Sequence, residues 1–136
     1  MRHRFPDGTA RLSSVWFLVL ALARPAAGAD VAQLYQSALP SVSSKDFSVI
    51  TVVYKPGERS RPHRHGRAFV FAYVLEGSVR SQVEGEPEHI YKQGESWSEA
   101  PGAHHVVSGN ASDTQPAKFL VVFVADPKSE LSVNDP

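Results

Sequence analysis

At 136 residues, 42% of them hydrophobic and 21% charged, the chain has room for one globular domain, and its fourteen basic against fourteen acidic residues give no basic surface for nucleic acid. Cysteine is absent, which excludes thiol chemistry and disulfide staples and leaves packing, or a bound ion, to hold so small a fold together.

The first segment has the anatomy of a secretory leader. Arg2, Arg4 and Arg11 precede the apolar run from Val15 to Ala23, and small residues follow as Pro25-Ala26-Ala27-Gly28-Ala29. Residues 1–29 are therefore expected to be a signal peptide cut after Ala29, and the domain to be periplasmic or secreted. The run falls short of the roughly 18–20 apolar residues that cross a bilayer, so no stable membrane span is expected once the leader is gone.

Residues 30–46 read as an N-terminal helical flap and linker. Val31, Leu34, Tyr35, Ala38 and Leu39 recur at a helical spacing that Pro40 ends, ahead of a serine-rich connector. From Phe47 the pattern changes to short runs of β-branched and aromatic residues: Phe47–Tyr54, Phe69–Leu75, Val79–Val83, His89–Lys92, His104–Ser108 and Phe119–Ala125. Turn signals such as Pro56-Gly57, Glu76-Gly77, Gln93-Gly94 and Pro101-Gly102 separate them. Residues 47–126 thus predict an all-β barrel or jelly roll, followed by a tail over 127–136. Phe69–Leu75 is apolar at both parities, which fits a strand with the interior on one side and a second subunit on the other, so a homodimer is expected.

Five histidines follow the leader: His63, His65, His89, His104 and His105. In an extended chain residues two apart point the same way, so His63 and His65 can aim both rings at one ion, and His105 can add a third nitrogen from a later strand. A His-x-His pair alone is weak, since such pairs are common on surfaces. His104 and His105 cannot both point inward from one strand, which keeps His104 as the other candidate. His89 follows a turn and reads as a surface residue. Glu99 is a candidate general base or an acceptor that fixes an imidazole tautomer, against the plainer reading of a solvated carboxylate. Gln82 reaches the site only if strand parity turns it inward, in competition with Val79, Ser81 and Val83. Arg59, Arg61, Arg64 and Arg67 could steer an anionic substrate or merely solvate a loop.

Gly57-x5-His63-x-His65, an apolar strand with Glu76-Gly77, and then Gly94 followed by Pro101-Gly102-x2-His105 resemble the two paired motifs of the cupin superfamily, over about Phe47 to Ala125. The resemblance implies a double-stranded β-helix barrel, with two His and a Glu from the first motif and one His, at the spacing of His105, from the second. This chain departs at the Glu, where Val70 stands, or Phe69 in the other permitted register, and neither binds a cation. Ala100 also replaces a proline, with Pro101 beside it, and Gly109 an asparagine, with Asn110 beside it. What remains is a three-histidine site of His63, His65 and His105 with open positions, similar to the small single-domain quercetin-dioxygenase-like cupins. Val70, Ala72 and Val74 share the parity of the missing carboxylate and are expected to line an apolar pocket. The implied cofactor is one divalent metal ion, iron in first place, with nickel, copper and zinc admitted by imidazole ligands. The implied activity is that of a metal-dependent oxygenase acting on a small oxygen-rich or aromatic molecule. The alternative is a non-catalytic periplasmic cupin that binds a small ligand, its metal a structural pin or ligand anchor, because a fold alone does not fix function.

Overall fold

A computed structural model describes residues 28–39, 41–42 and 44–136, in which ten strands build two five-stranded antiparallel sheets. One sheet runs in the order β1 (Asp30–Ala38), β2 (Asp46–Tyr54), β9 (Ala117–Ala125), β4 (Phe69–Glu76) and β7 (Ser96–Glu99). The other runs β10 (Val133–Asn134), β3 (His63–Arg64), β8 (His104–Asn110), β5 (Ser78–Val83) and β6 (His89–Lys92). All six expected strands are present, and β1, β3, β7 and β10 are additional. Most of the expected leader, residues 1–27, lies outside the described residues. Among those described, no helix is long and apolar enough to cross a membrane.

Period-two alternation fills the core. On β9, Phe119, Val121 and Phe123 are buried and alternate with half-buried neighbours, while on β4, Val70, Ala72 and Val74 are buried between Phe69, Phe71 and Tyr73. Those three aromatics project outward and remain exposed, 42% for Phe69. Register places Phe69 opposite Val124, Phe71 opposite Val122 and Tyr73 opposite Leu120, so the outer face of this sheet carries a continuous apolar stripe. Tyr54 closes one end of the core, its buried hydroxyl shared between Ser60 Oγ at 2.7 Å and Ser108 Oγ at 2.9 Å.

The expected helix at the start of the domain is instead strand β1. Its pairing with β2 slips by one residue between Gln33 and Tyr35, which leaves Leu34 as an extra residue and inverts the side-chain parity beyond it. A bulge of this kind spaces apolar residues irregularly, which is why Val31, Leu34 and Tyr35 imitate a helical period in the sequence. Every residue of β1 is exposed, so no apolar face exists to hold a helix there, whereas an edge strand obtains its hydrogen bonds from β2.

Two glycines show how tightly the turns are set. Gly77 joins β4 to β5 at φ +71°, and a Cβ on it would strike the Pro116 carbonyl, whereas Gly85 at φ +85° has open space around it. Gly85→Ala is expected to cost about 1 kcal/mol for its left-handed backbone alone. Gly77→Ala is expected to cost at least about 2 kcal/mol more, because the backbone oxygen cannot rotate away. Urea unfolding of the two variants compares them, and equal losses would show that the Gly77 turn is looser than described.

Candidate metal centre

The two-residue strand β3 sets the geometry. It pairs with β8 so that His63 lies opposite His105 and Arg64 opposite His104. Residues directly opposed share a face, so His63 and His105 turn inward together while Arg64 and His104 turn outward. His65, two residues on, returns to the interior. The ring centroids of His63 stand 4.8 Å from His65 and 5.0 Å from His105, and those of His65 and His105 are 6.2 Å apart. One ring nitrogen from each lies within 4.8 Å of the others. Two bonds of about 2.1 Å reach about 4.2 Å, so a single ion could bridge the three after small ring movements.

Each ring is anchored by its other nitrogen. His63 Nδ1 donates to the Arg61 carbonyl at 2.7 Å, and His65 Nδ1 donates to the Leu131 carbonyl at 2.6 Å. A carbonyl only accepts, so both rings carry their proton on Nδ1 and keep a lone pair on Nε2. His105 Nε2 pairs with the Ser81 hydroxyl at 2.9 Å, and among the described residues its buried Nδ1 has no hydrogen-bond partner. A β-bulge beside this residue, where β5 pairs Gln82 with Val107 but Val83 with His105, lets both His105 and Ser108 face inward from one strand.

Burial pushes all three rings towards the neutral form. For His105 it lowers the pKa to about 3, reinforced by His63 and His65. For His63 and His65 burial also dominates, against the opposing pull of the Arg61 and Leu131 carbonyls respectively. Neutral imidazole is the form that binds a metal.

Glu99 is not the solvated carboxylate of the plainer reading. It points inward from the end of β7, is only 3% exposed, and accepts a hydrogen bond at Oε1 from the Trp97 indole at 3.1 Å. Oε1 lies 3.2 Å from His105 Nδ1, Oε2 lies 3.6 Å from His65 Nε2, and among the described residues Oε2 has no hydrogen-bond partner. Burial raises its pKa, with the Trp97 bond opposing. At His63 and His65 the tautomer is set from behind by the Arg61 and Leu131 carbonyls, so Glu99 does not set it there.

These groups line a cavity of about 290 Å³ whose walls include Val70, Ala72, Trp97, Phe119 and Phe123. Val70 therefore occupies the inward position, and Phe69 faces out. Val74, expected to line the pocket with Val70 and Ala72, is instead wholly buried in the core and does not reach the cavity. Gln82 turns away and donates to the Glu86 carbonyl. His104 sits between Glu84 and Asp135, at 3.2 and 2.8 Å, and His89 is exposed against the Tyr91 ring. Among the described residues, no arginine lines the cavity. Arg61 bonds the Asp135 carbonyl, and Arg64 and Arg67 face Glu84 and Asp126 outside, which favours the solvated-loop reading.

Ser81 and the carbonyls of Arg61 and Leu131 belong to the site, yet the sequence does not announce them. A backbone carbonyl has no residue signature, and only the isolated Leu131 in a polar tail hints that this segment packs onto something.

A family model described as Cupin domain matches residues 50–123. Among solved structures, the DMSP lyase DddQ from Ruegeria pomeroyi DSS-3 superposes with a TM-score of 0.64 at 20% identity, over 78% of this chain and 51% of the lyase. An uncharacterized conserved protein with a double-stranded β-helix domain from Klebsiella pneumoniae subsp. pneumoniae MGH 78578 gives 0.62 at 18%, over 83% and 90%. An oxalate oxidase gives 0.52 at 25%, over 57% and 41%. The chain thus spans about half of the lyase and two-fifths of the oxidase. No curated protein matches it in sequence.

The depressed imidazole pKa values set a pH dependence for the metal-free protein. Between about 3 and 6.5 the unfolded chain binds a proton at His105 that the folded chain refuses, so stability is complete above pH 6.5 and falls as pH drops. The slope for that ring is about 1.4 kcal/mol per pH unit. Glu99 acts in the opposite sense, its contribution complete below 4.5 and lost as pH rises through its raised folded value. Melting of chelator-treated protein from pH 7.5 to 4.5 is expected to show a falling Tm, with a shallower fall in His105→Gln. Identical slopes would mean that this ring is not buried neutral.

Proposed function

This chain belongs to the cupin domain family, and we propose that it is a metal-dependent enzyme of the oxygenase type in which His63, His65 and His105 hold one divalent ion. The observation that carries this reading is the convergence of three buried neutral rings, each tied by one nitrogen and each offering the other to the same point. The donor set fits a transition metal, and His105 Nδ1 is a buried nitrogen without a hydrogen-bond partner among the described residues, which an ion would satisfy. When bound, the ion would supply Lewis acidity and open positions at which an oxygen-bearing substrate and dioxygen can meet.

The chain's own residues then select and shelter the substrate. Trp97, Phe119 and Phe123 give aromatic walls that exclude water and suit a flat, apolar-bodied molecule. Among the described residues no lysine or arginine lines the cavity, so the centre itself is left to meet substrate charge. A small oxygen-rich aromatic compound fits these demands, and the oxalate oxidase likeness at 25% identity supports catalysis over passive binding. Iron is the metal proposed, and elemental analysis separates it from nickel, copper and zinc. We place the protein outside the cytoplasm on the leader-like anatomy of residues 1–29. We pair two copies through the outer stripe of Phe69, Phe71 and Tyr73, an apolar surface that association would cover.

Protein purified from its native compartment is expected to contain one ion per chain, and His65→Ala to lose most of it while keeping its strand content by circular dichroism. Equal metal in both would overturn the assignment. Oxygen uptake is expected with one class among flavonoids, diketones and catechols, and metal retention without turnover would favour the ligand-binding alternative. Phe71→Glu is expected to convert a dimer to a monomer in sedimentation with metal content unchanged, and an unaltered mass would refute the paired stripe.

A further inference from the structure

The three-histidine reading leaves one buried carboxylate without a task. We propose that Glu99, reaching in from β7, is a fourth protein ligand to the ion, an inference that rests on the three-histidine centre proposed above.

Among the described residues, three buried side-chain nitrogen or oxygen atoms lack a hydrogen-bond partner, and two of them, Glu99 Oε2 and His105 Nδ1, belong to neighbours at this one point. A buried carboxylate oxygen left unpaired is costly, and two such atoms side by side mark a place where something other than a protein group belongs. The spacing suits an ion. Glu99 oxygens stand 3.2 Å from His105 Nδ1 and 3.6 Å from His65 Nε2, close to the roughly 3 Å between adjacent donors whose bonds to one metal are about 2.1 Å. The Trp97 indole holds Oε1 in place and leaves Oε2 free.

Charge points the same way. Among the described residues no lysine or arginine lines the cavity beside Glu99, and a divalent cation would supply the counter-charge that a carboxylate held here needs. The strand register explains how the carboxylate arrives. β4 and β7 pair Val70 with Glu99, which puts both side chains on the inner face at the same level. The carboxylate absent at Val70 is thus delivered one strand to the side, into the same space.

The test loads the full chain, freed of native metal, with Co(II) and follows chelator competition and the visible d–d absorption. Wild type is expected to bind one Co(II). Glu99→Gln is expected to bind it at least about tenfold more weakly, the low end of the loss seen even when groups behind a ligand are altered, with a changed spectrum. Moving the carboxylate back across the strand pair, Val70→Glu with Glu99→Val, is expected to recover most of the affinity, which a merely structural role for Glu99 would not allow. Wild-type affinity and spectrum in Glu99→Gln overturn the proposal while leaving the histidine centre standing. Weaker binding with an unchanged spectrum also overturns it, since Glu99 then only positions a ring. If Glu99→Gln does not fold, the exchanged pair decides: tight Co(II) binding supports the proposal and its failure overturns it. A wild type that binds no Co(II), or a His65→Ala that binds it equally well, sinks the histidine centre and, with it, the fourth ligand.

Discussion

Polar atoms sealed inside an apolar barrel must each find a partner, and this structure is organised around meeting that demand for three imidazoles and one carboxylate. The partners come from widely separated parts of the chain: the Arg61 carbonyl from the loop before β3, the Ser81 hydroxyl from β5, the Leu131 carbonyl from the C-terminal segment and the Trp97 indole from β7. Each holds its group from behind, so that the remaining atoms face inward. The rings are kept neutral by the same burial that makes their anchoring necessary.

The scaffold meets this demand with two sheets of unlike character. The sheet containing β2, β9 and β4 supplies the apolar wall, with Val52, Phe119, Val121 and Val70 turned in. The sheet containing β3, β8 and β5 supplies the polar floor, with His63, His105, Ser81 and Ser108 turned in. A bulge in β8 reconciles the two interests by turning both His105 and Ser108 to the interior. Segments that look peripheral are part of the site: β10 pairs with β3, and Leu131 just before it anchors His65, while Val31 of the edge strand β1 borders the cavity.

Legibility followed the strength of each local signal. Strands with sustained alternation and glycine-marked ends, such as β4, β5 and β9, could be read directly from composition. β3 and β10 have two residues each and exist only through their neighbours, and β1 carries a bulge that mimics a helical period. Val74 shares the parity of Val70 and Ala72, yet parity fixes only the face of a strand, and the cavity does not extend as far along β4 as Val74 does.

By itself the sequence determined an all-β domain, the inward parity of Val70 and Ala72, and the three histidines worth watching, because alternation and motif spacing are properties of consecutive residues. Tertiary structure decided the rest. It opposed His63 to His105 in one strand pair, sent His104 and Gln82 outward, and brought Glu99 opposite Val70 at the rings. Those outcomes depend on register between strands far apart in the chain, and register is fixed by the packing of a whole sheet face rather than by any residue's immediate neighbours.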